Sequence, residues 1–420
     1  MSPLGLYVHI PFCGSICNYC NFNRGLFDSA LKDRYLRALR AEIRYVAALV
    51  NAGRHPVAGR ALSDACRAGL KPRPTADLKV RPTSSDGSRL PADTIYFGGG
   101  TPSLLSPEEV ATIIDTCRSA FAVADDAEVT LEANPETVTV DGMAAYRQAG
   151  VNRVSIGVQS FRDEELRRLG RVHDAARARA AFDAVRAAGI DNVSLDLMLW
   201  LPQQTVDDCL FSVRSLVALG PSHASLYLLE LYPNAPLKEE MARSGWSLAP
   251  DEDAAEMYLR AIDLLAAAGY QHYEISNFSR PGLASRHNLK YWTDQEWLAF
   301  GCGAHSTMDA VRWKNVSATD AYTRSVERGA GPDIAERRDL SAEERFQEAV
   351  FMGLRLVAGI DVAEIRRRYG VDLWQRYGEC LAPFVEAGLV VREPPTLRLS
   401  PRGLLVSNEV MGVFIDARVR

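Results

Sequence analysis

The sequence predicts an α/β protein in which a partial (β/α)6 barrel is followed by an α+β C-terminal domain with a winged-helix-like order of elements. The chain has 420 residues, and a domain usually contains roughly 100–200 residues, so we expect more than one domain. Its first two-thirds alternate strand-like and helix-like segments, a pattern typical of a parallel sheet covered by helices. After Gly301 the order changes to helices, a two-stranded hairpin and a last helix.

Short runs of β-branched, aliphatic and aromatic residues are expected to be the parallel strands. They are Leu6–Ile10, Thr94–Phe97, Glu128–Leu131, Arg153–Ile156, Val193–Leu197 and Ser225–Leu229. Helix-like segments between them include Ser29–Val50, Pro107–Phe121, Asp163–Leu169, Ala176–Ala188 and Val206–Leu219. Six such units are too few for a closed eight-stranded barrel. We therefore expect an open barrel whose ligand site lies at the C-terminal ends of its strands.

The predicted domain boundaries place the barrel at residues 1–300, a connecting segment at 301–340 and the C-terminal domain at 341–420. Because the C-terminal domain is not strongly basic, we expect it to pack against the barrel or to bind a protein rather than DNA. Its helices are predicted at Ser341–Val357, Val362–Tyr369 and Leu373–Ala387, and its hairpin strands at Leu389–Arg392 and Leu397–Leu399.

Residues 54–91 interrupt the alternation of strands and helices. This stretch contains five prolines and eight basic residues against three acidic ones. Such a composition between two regular elements is typical of a flexible surface insertion. A docking arm for an acidic partner is the alternative.

Composition and charge exclude several classes of protein. The hydrophobic content of 47% and the charged content of 24% are those of a folded globular protein. The formal net charge of −5 argues against a nucleic-acid partner. No apolar run approaches the ~18 residues of a membrane span, and the cysteines begin too early for a secretory signal of ~15–30 residues. We therefore expect a cytoplasmic protein with no nucleic-acid partner and no integral membrane span.

Three of the eight cysteines lie close together, at Cys13, Cys17 and Cys20. They follow the first strand directly, which places them on a loop at its C-terminal end. A structural zinc site usually takes four ligands in two separated pairs, and no second pair of that spacing follows. Close-set thiolates favour an iron–sulfur cluster, with zinc and plain buried thiols as the alternatives. Three thiolates around a four-iron cube leave one iron open to another ligand.

The first strand and its loop read Tyr7-Val-His-Ile-Pro-Phe-Cys13, then Cys17-Asn-Tyr-Cys20. This motif resembles the radical S-adenosylmethionine (SAM) superfamily, in its branch similar to coproporphyrinogen oxidase. The resemblance implies a TIM-like partial barrel and a [4Fe-4S] cluster held by Cys13, Cys17 and Cys20. It also implies that SAM binds at the open iron, where an electron from the cluster can cleave its sulfonium bond.

The same resemblance implies which residues bind SAM. A glycine triplet, Gly98-Gly-Gly-Thr101, follows the second strand and matches the family's contact to the SAM amino group. Acidic side chains at later strand ends are assigned to ribose hydroxyls or to the ammonium group, and Gln159 and Arg171 to polar or carboxylate contacts. An internal ion pair between Arg171 and Asp196 is the alternative. The implied SAM set is Tyr7, Gly99, Gly100, Thr101, Glu132, Gln159, Arg171 and Asp196.

Three features separate the two kinds of protein in this branch. The oxidase has an N-terminal extension, whereas six residues precede Tyr7 here. The oxidase has a further cysteine two residues beyond the third ligand, whereas this chain has Phe22. His287-Asn-Leu-Lys-Tyr-Trp292 matches the HNxxYW motif of the HemW group of heme chaperones. The resemblance therefore favours the HemW group.

The HNxxYW motif has the chemistry of a heme site. A histidine such as His287 can ligate heme iron axially, and Tyr291 and Trp292 offer flat apolar faces with one polar atom each. A hydrogen-bonded structural role is the alternative for His287. Cys302 and His305 are further candidate heme ligands.

The sequence is therefore interpreted as that of a SAM- and [4Fe-4S]-binding chaperone that delivers heme to acceptor hemoproteins, with respiratory enzymes as the clients the family implies. The alternative is a radical SAM enzyme, either the oxygen-independent coproporphyrinogen III oxidase or a related methyltransferase. A winged-helix regulator is disfavoured because the C-terminal segment lacks a basic recognition helix. A monomer–dimer equilibrium is the oligomeric state that the family implies.

Overall fold

The computed structural model of the chain describes residues 2–57, 89–329 and 331–415. Most of the predicted insertion at 54–91, and Cys66 within it, therefore lies outside the described residues. Within the described ranges, no helix is both long enough and apolar enough to cross a membrane.

The strands are, in chain order, β1 (Leu4–Ile10), β2 (Phe12–Cys13), β3 (Gly25–Leu26), β4 (Pro91–Gly99), β5 (Ala122–Ala133), β6 (Arg153–Gln159), β7 (Asn192–Leu199), β8 (His223–Leu228), β9 (Gln271–Glu274), β10 (Asn277–Ser279), β11 (Trp297–Phe300), β12 (His305–Met308), β13 (Val311–Asn315), β14 (Ile334–Asp339), β15 (Ile360–Asp361), β16 (Val390–Glu393) and β17 (Thr396–Leu399).

The α-helices are α1 (Ser29–Asn51), α2 (Pro107–Ala120), α3 (Val140–Gln148), α4 (Asp163–Arg168), α5 (Ala175–Ala187), α6 (Val206–Leu219), α7 (Pro236–Ser244), α8 (Asp251–Ala267), α9 (Arg286–Trp292), α10 (Thr319–Glu327), α11 (Ala342–Gly353), α12 (Val362–Tyr369), α13 (Leu373–Glu386), α14 (Pro401–Leu405) and α15 (Ser407–Gly412). Short 3-10 helices lie at Pro102–Leu104 and Pro135–Thr137.

The chain divides into two compact units, which are described separately below. Unit 1 comprises Met1–Leu195, Glu230–Trp246 and Glu296–Asp339. Unit 2 comprises Asp196–Leu229, Ser247–Gln295 and Leu340–Arg420. The predicted domain boundaries at 300 and 340 stay a prediction.

Unit 1 contains a sheet in the order β14-β13-β12-β11-β1-β4-β5-β6. β1, β4, β5 and β6 run parallel, and Ile10 at the end of β1 is level with Gly99 at the end of β4. Parallel strands buried on both faces are expected to be almost continuously apolar. β1 agrees with this, because its sequence Leu-Gly-Leu-Tyr-Val-His-Ile is largely apolar and six of its seven residues are buried. The level strand ends bring the loops that follow β1 and β4 side by side.

Residues 301–340, predicted as a connecting segment, contain three strands of the unit 1 sheet and α10. β11 pairs in parallel with β1, and β12, β13 and β14 continue the sheet as antiparallel strands. Their short runs alternate apolar and charged residues, as in Val311-Arg-Trp-Lys-Asn315. Such alternation suits strands with one solvated face, but runs this short are a weak signal in sequence.

Helix α1 places polar side chains on its buried face. Asp28 caps its first turn by accepting a hydrogen bond from the backbone N–H of Leu31 at 2.8 Å. Its buried residues recur at helical spacing and include Tyr35 and Glu42 among aliphatic neighbours such as Leu39 and Ile43. These two polar groups reach the segment that follows β11.

Unit 2 combines the antiparallel strands β8, β10 and β9 with the helices and the small sheet of the C-terminal segment. β15, β17 and β16 form a three-stranded sheet, in which β16 and β17 are the predicted hairpin. Helix α6 begins at a capping box made by Thr205 and Asp208 and ends at left-handed Gly220. Its bounds, and those of α12, agree with the predicted ones.

Candidate metal and cofactor site

The three clustered cysteines lie on one loop of unit 1, and their thiols are free. Cys13 ends β2, and the backbone N–H of Cys20 donates to the carbonyl of Cys17 at 3.3 Å, which forms a turn. The loop is closed at its base, because β2 pairs with β3 and the N–H of Phe27 donates to the carbonyl of Cys13 at 3.0 Å. The thiols therefore sit on a short segment with fixed ends.

The described ranges contain no set of three or more His, Cys, Asp or Glu side chains arranged to hold a single metal ion. Burial raises the pKa values of the Cys13 and Cys20 thiols, and the neighbouring cysteines contribute in the same direction. The charge of Arg24 opposes this rise at both thiols. Thiols that are protonated when free must release protons when they bind metal.

Asn23 and Arg24 hold the far end of the cysteine loop. Asn23 donates from Nδ2 to the carbonyls of Cys302 at 2.9 Å and Ser317 at 3.0 Å. Arg24 donates from Nη1 to the carbonyl of Phe22 at 3.1 Å and from Nη2 to the carbonyl of Cys20. The sequence interpretation assigned neither residue a role, because a sequence does not show which backbone carbonyls these two side chains reach.

His9, near the end of β1, contacts the same loop. Its Nε2 lies 2.8 Å from the carbonyl oxygen of Asn23, and its Nδ1 lies 3.2 Å from the Tyr7 hydroxyl. Burial lowers the pKa of His9 to about 4. His9 is therefore neutral at physiological pH and contacts the backbone of the loop.

The glycine triplet packs directly against the cysteine loop. Gly99 has φ +119°, and a Cβ there would lie 2.5 Å from the His9 ring. A Cβ on Gly100 would lie 2.7 Å from the carbonyl oxygen of Phe12 and 3.0 Å from the Cys13 sulfur. The Gly100 N–H also donates to the carbonyl of Ile10 at 2.7 Å. These glycines therefore allow two backbones to approach closely beside the cysteines.

Glu132 is held at the end of β5 by two donors. Its Oε1 accepts from the Tyr96 hydroxyl at 2.8 Å, and its Oε2 accepts from the Gly99 N–H at 3.1 Å. Tyr7 stacks on Tyr96 with ring centroids 6.1 Å apart. The structure thus brings Tyr7, Gly99 and Glu132 together next to the cysteine loop.

Arg171 extends this group of residues towards Cys17. Its Nη1 lies 3.4 Å from the Cys17 sulfur, and its Nη2 donates at 2.8 Å to Asn134 Oδ1 and to the carbonyl of Gly157. Burial alone would lower the pKa of Arg171, but the anionic forms of Tyr19 and Cys17 raise it overall. Arg171 therefore brings a fixed positive charge to one of the thiols.

Asn134 is a residue of this site that the sequence interpretation missed. Its Nδ2 donates to Thr101 Oγ1 at 3.1 Å while its Oδ1 accepts from Arg171, so it joins two of the predicted SAM residues. The available signal was its position two residues after Glu132, at the end of β5.

Gln159 ends β6 with φ +69°, a left-handed conformation uncommon outside glycine.

Asp196 is the one predicted SAM residue that belongs to unit 2. It lies on β7, flanked by Leu195 and Leu197. Desolvation of its hydroxyl raises the pKa of Tyr227, although 42% of the residue is exposed, and the Asp196 charge adds to this rise.

The HNxxYW motif lies on helix α9 of unit 2. Ser285 caps this helix by accepting from the N–H of Asn288 at 3.3 Å. His287 is 1% exposed, and its Nε2 lies 2.9 Å from the Tyr291 hydroxyl. The guanidinium of Arg355 lies 4.4 Å from the Trp292 ring centroid and also pairs with the buried Glu274 at 3.4 Å. The motif is therefore internally hydrogen-bonded and supported by an arginine from the C-terminal segment.

The other two candidate heme ligands belong to unit 1. Cys302 is fully buried, and burial raises its pKa to about 11. Its sulfur lies 3.5 Å from Asn23 Nδ2. His305 begins β12 and is exposed. Cys302 thus has a structural contact that accounts for its position.

Comparisons with known proteins identify the family. The Radical SAM superfamily model matches residues 86–216, and the HemN C-terminal domain model matches residues 340–406. The relative named Heme chaperone HemW from Bacillus subtilis is 32% identical, over 97% of this chain and 98% of its own. Heme chaperone HemW from Mycobacterium tuberculosis is 35% identical, over 98% of this chain and 95% of its own.

Among solved structures, coproporphyrinogen III oxidase (HemN) from Escherichia coli, a radical SAM enzyme, matches with a TM-score of 0.79 and 23% identity. The match covers 98% of this chain and 90% of that one. This similarity confirms the predicted fold class, a partial barrel of the radical SAM type followed by an α+β C-terminal part. The two near-full-length relatives define the family more closely: the chain belongs to the HemW family of the radical SAM superfamily.

Proposed function

We propose that this chain is a heme chaperone that binds SAM at a [4Fe-4S] cluster and delivers heme to acceptor hemoproteins. The observation that carries the proposal is the similarity over nearly the full length to two relatives named Heme chaperone HemW. Phe22, in place of the cysteine expected of the oxidase, agrees with it. Respiratory hemoproteins as clients, a cytoplasmic location and a monomer–dimer equilibrium stay predictions.

The cluster is proposed to be held by Cys13, Cys17 and Cys20. Three soft thiols on one loop fit an iron–sulfur cluster. The pKa of the Cys20 thiol is raised by burial, and the charges of Arg24 and Arg171 oppose that rise. When bound, such a cluster supplies an electron to SAM at its open iron. The chain's part is to hold the thiolates on a closed loop, whose backbone at Asn23 contacts the neutral His9 ring.

SAM is proposed to lie along the strand ends beside this loop. Glu132 presents a carboxylate there, fixed by Tyr96 and Gly99, and a carboxylate suits an ammonium group or ribose hydroxyls. Arg171 supplies the cation that a carboxylate of SAM requires, and Asn134 orients its guanidinium. Tyr7, Gly100, Thr101 and Gln159 complete the proposed set in unit 1, and the contact of Asp196 with SAM stays a prediction.

Heme is proposed to bind at the HNxxYW motif in unit 2. His287 is the candidate axial ligand, with Tyr291 and Trp292 as flat apolar contacts. Because His287 Nε2 contacts the Tyr291 hydroxyl, ligation through that nitrogen requires the hydroxyl to move away. This contact would keep the histidine protected while no heme is bound.

Heme titration of the full chain tests the proposal. The wild type and a His272→Ala control should both show a saturable shift of the Soret band, whereas His287→Ala should not. His272 is a matched control because it is a histidine of the same unit outside the motif. A wild type without a Soret shift would contradict heme binding, and an unaltered His287→Ala titration would contradict the assigned ligand.

A radical enzyme is the second candidate, favoured by the fold similarity to HemN. Anaerobic incubation of cluster-loaded protein with SAM, reductant and coproporphyrinogen, followed by product fluorescence, separates the two functions. We expect no product above the level of a Cys17→Ala control. Turnover abolished by that substitution would establish the enzyme instead.

A further inference from the structure

Arg24 is a charged residue that the proposed function leaves without a role. Its two terminal nitrogens donate to the carbonyls of Cys20 and Phe22 on the cysteine loop itself. Its Nε is buried and has no hydrogen-bond partner among the described residues. A buried N–H donor without an acceptor is unfavourable. The bonds of the terminal nitrogens explain how Arg24 supports the loop, but they do not explain why its Nε donor is buried without an acceptor.

The guanidinium of Arg24 lies beside the segment that carries the thiols, because its Nη2 donates to the backbone carbonyl of Cys20. Cys17 has a separate cation, since Arg171 Nη1 lies 3.4 Å from its sulfur. Two guanidinium groups therefore contact residues of the cysteine loop, and Arg24 is the one that belongs to the loop itself.

We propose that Arg24 donates a hydrogen bond from Nε to a sulfur of the bound [4Fe-4S] cluster and raises the reduction potential of that cluster. The cluster would supply the acceptor that the buried donor lacks. Reduction adds one negative charge to the cluster, so a nearby fixed positive charge favours the reduced form. Hydrogen bonds to sulfur and local net charge are both known to set cluster potentials. The inference depends on the cluster and not on heme binding.

Redox titration of the full chain tests this inference. Protein loaded anaerobically with iron and sulfide, without SAM or heme, is titrated while the reduced cluster is followed by electron paramagnetic resonance. Arg24→Gln should lower the midpoint potential by about 59 mV or more, which is a tenfold loss in the ratio of reduced to oxidised cluster. Arg24→Lys keeps a charge but lacks the Nε donor, and should lower it by less.

Arg44→Gln is the matched control, because it removes a positive charge from an exposed position on α1 in the same unit. Its midpoint should equal that of the wild type. Unchanged midpoints in both Arg24 variants, or an equal shift in Arg44→Gln, would overturn the inference. Loss of iron and sulfide from both Arg24 variants would also overturn it, because Arg24 would then shape the loop. If only Arg24→Gln loses the cluster, a lowered Arg24→Lys midpoint supports the inference and an unchanged one overturns it.

Discussion

Glu42 shows how one residue can organise the site from a distance. It is 1% exposed on the buried face of α1. Its carboxylate accepts hydrogen bonds from the Gly301 N–H at 2.8 Å, the Tyr322 hydroxyl at 2.6 Å and Asn315 Nδ2 at 2.8 Å. A buried carboxylate is tolerated only with such donors. Glu42 thereby holds Gly301, the first residue after β11. The residue that follows it, Cys302, accepts a hydrogen bond at its carbonyl from Asn23 of the cysteine loop.

Glu42→Gln should destabilise the chain. The amide replaces an acceptor by a donor and leaves one of its partners unsatisfied, which costs about 1–3 kcal/mol. The free energy of unfolding by denaturant measures the effect. Glu164→Gln, at a position with a side chain 65% exposed, should change it by less than about 0.5 kcal/mol. Equal stability of both variants would contradict the role given to Glu42.

The contact between His287 and Tyr291 leads to a prediction about the heme affinity of a single-residue variant. If heme is ligated through His287 Nε2, binding must break this hydrogen bond, which is worth about 0.5–1.5 kcal/mol. Tyr291→Phe should therefore tighten heme binding by about two- to tenfold in a Soret titration. A loss of affinity as large as that of His287→Ala would instead show that the tyrosine itself binds heme.

At the scale of elements, the β9–β10 hairpin contains a titratable histidine, His272, stacked on a phenylalanine. His272 stacks on Phe278 with centroids 4.2 Å apart, and its Nε2 lies 3.2 Å from the carbonyl of Ile275. Burial lowers the pKa of His272 to about 4. The hairpin therefore requires the neutral imidazole.

This requirement predicts how stability depends on pH. An unfolded histidine has a pKa near 6.5, so the unfolded state binds more protons between pH 6.5 and about 4. The contribution of His272 is thus full above pH 6.5 and is lost as the pH falls through that window, by on the order of 2–3 kcal/mol. His272→Phe keeps the stack, so denaturant midpoints from pH 7.5 to 4.5 should fall less steeply than in the wild type. Parallel pH profiles would contradict the prediction.

At the scale of the whole molecule, each unit contains a buried carboxylate that ties together segments distant in sequence. In unit 1 it is Glu42, and in unit 2 it is Glu274, which is fully buried. Burial raises the pKa of Glu274, and Arg355 and Asn277 oppose that rise. Arg355 therefore links the C-terminal segment to β9 through this ion pair and to the HNxxYW helix through its contact with the Trp292 ring.

Arg355→Met should show how far the stability of the chain depends on the ion pair between Arg355 and Glu274. Removing the arginine leaves a buried carboxylate without its cation and should destabilise the chain by about 1–3 kcal/mol, less than for a fully buried pair because Arg355 is 25% exposed. Glu274→Gln in the same chain should recover part of the loss. Arg366→Met, with a side chain 70% exposed, should have little effect in the same unfolding experiment. Failure of the second substitution to restore any stability would contradict the pairing.

The sequence by itself determined the features that depend on neighbouring residues. The six strands, the helices α6 and α12 and the spacing of the cysteines are encoded within short windows, where periodicity, caps and ligand spacing act locally. The position of the glycine triplet beside the cysteines also followed, since parallel strands place their loops at one edge. Binding of the cluster, SAM and heme by the assigned residues stays a prediction.

Only the tertiary structure decided which distant residues meet. The parallel pairing of β11 with β1, the bond from Asn23 to Cys302 and the bridge made by Asn134 join segments far apart in the chain. The unpartnered Nε of Arg24 likewise became visible only after folding. Such contacts depend on packing that no local pattern encodes, because a polar side chain has the same sequence signature whether it is solvated or buried against a partner.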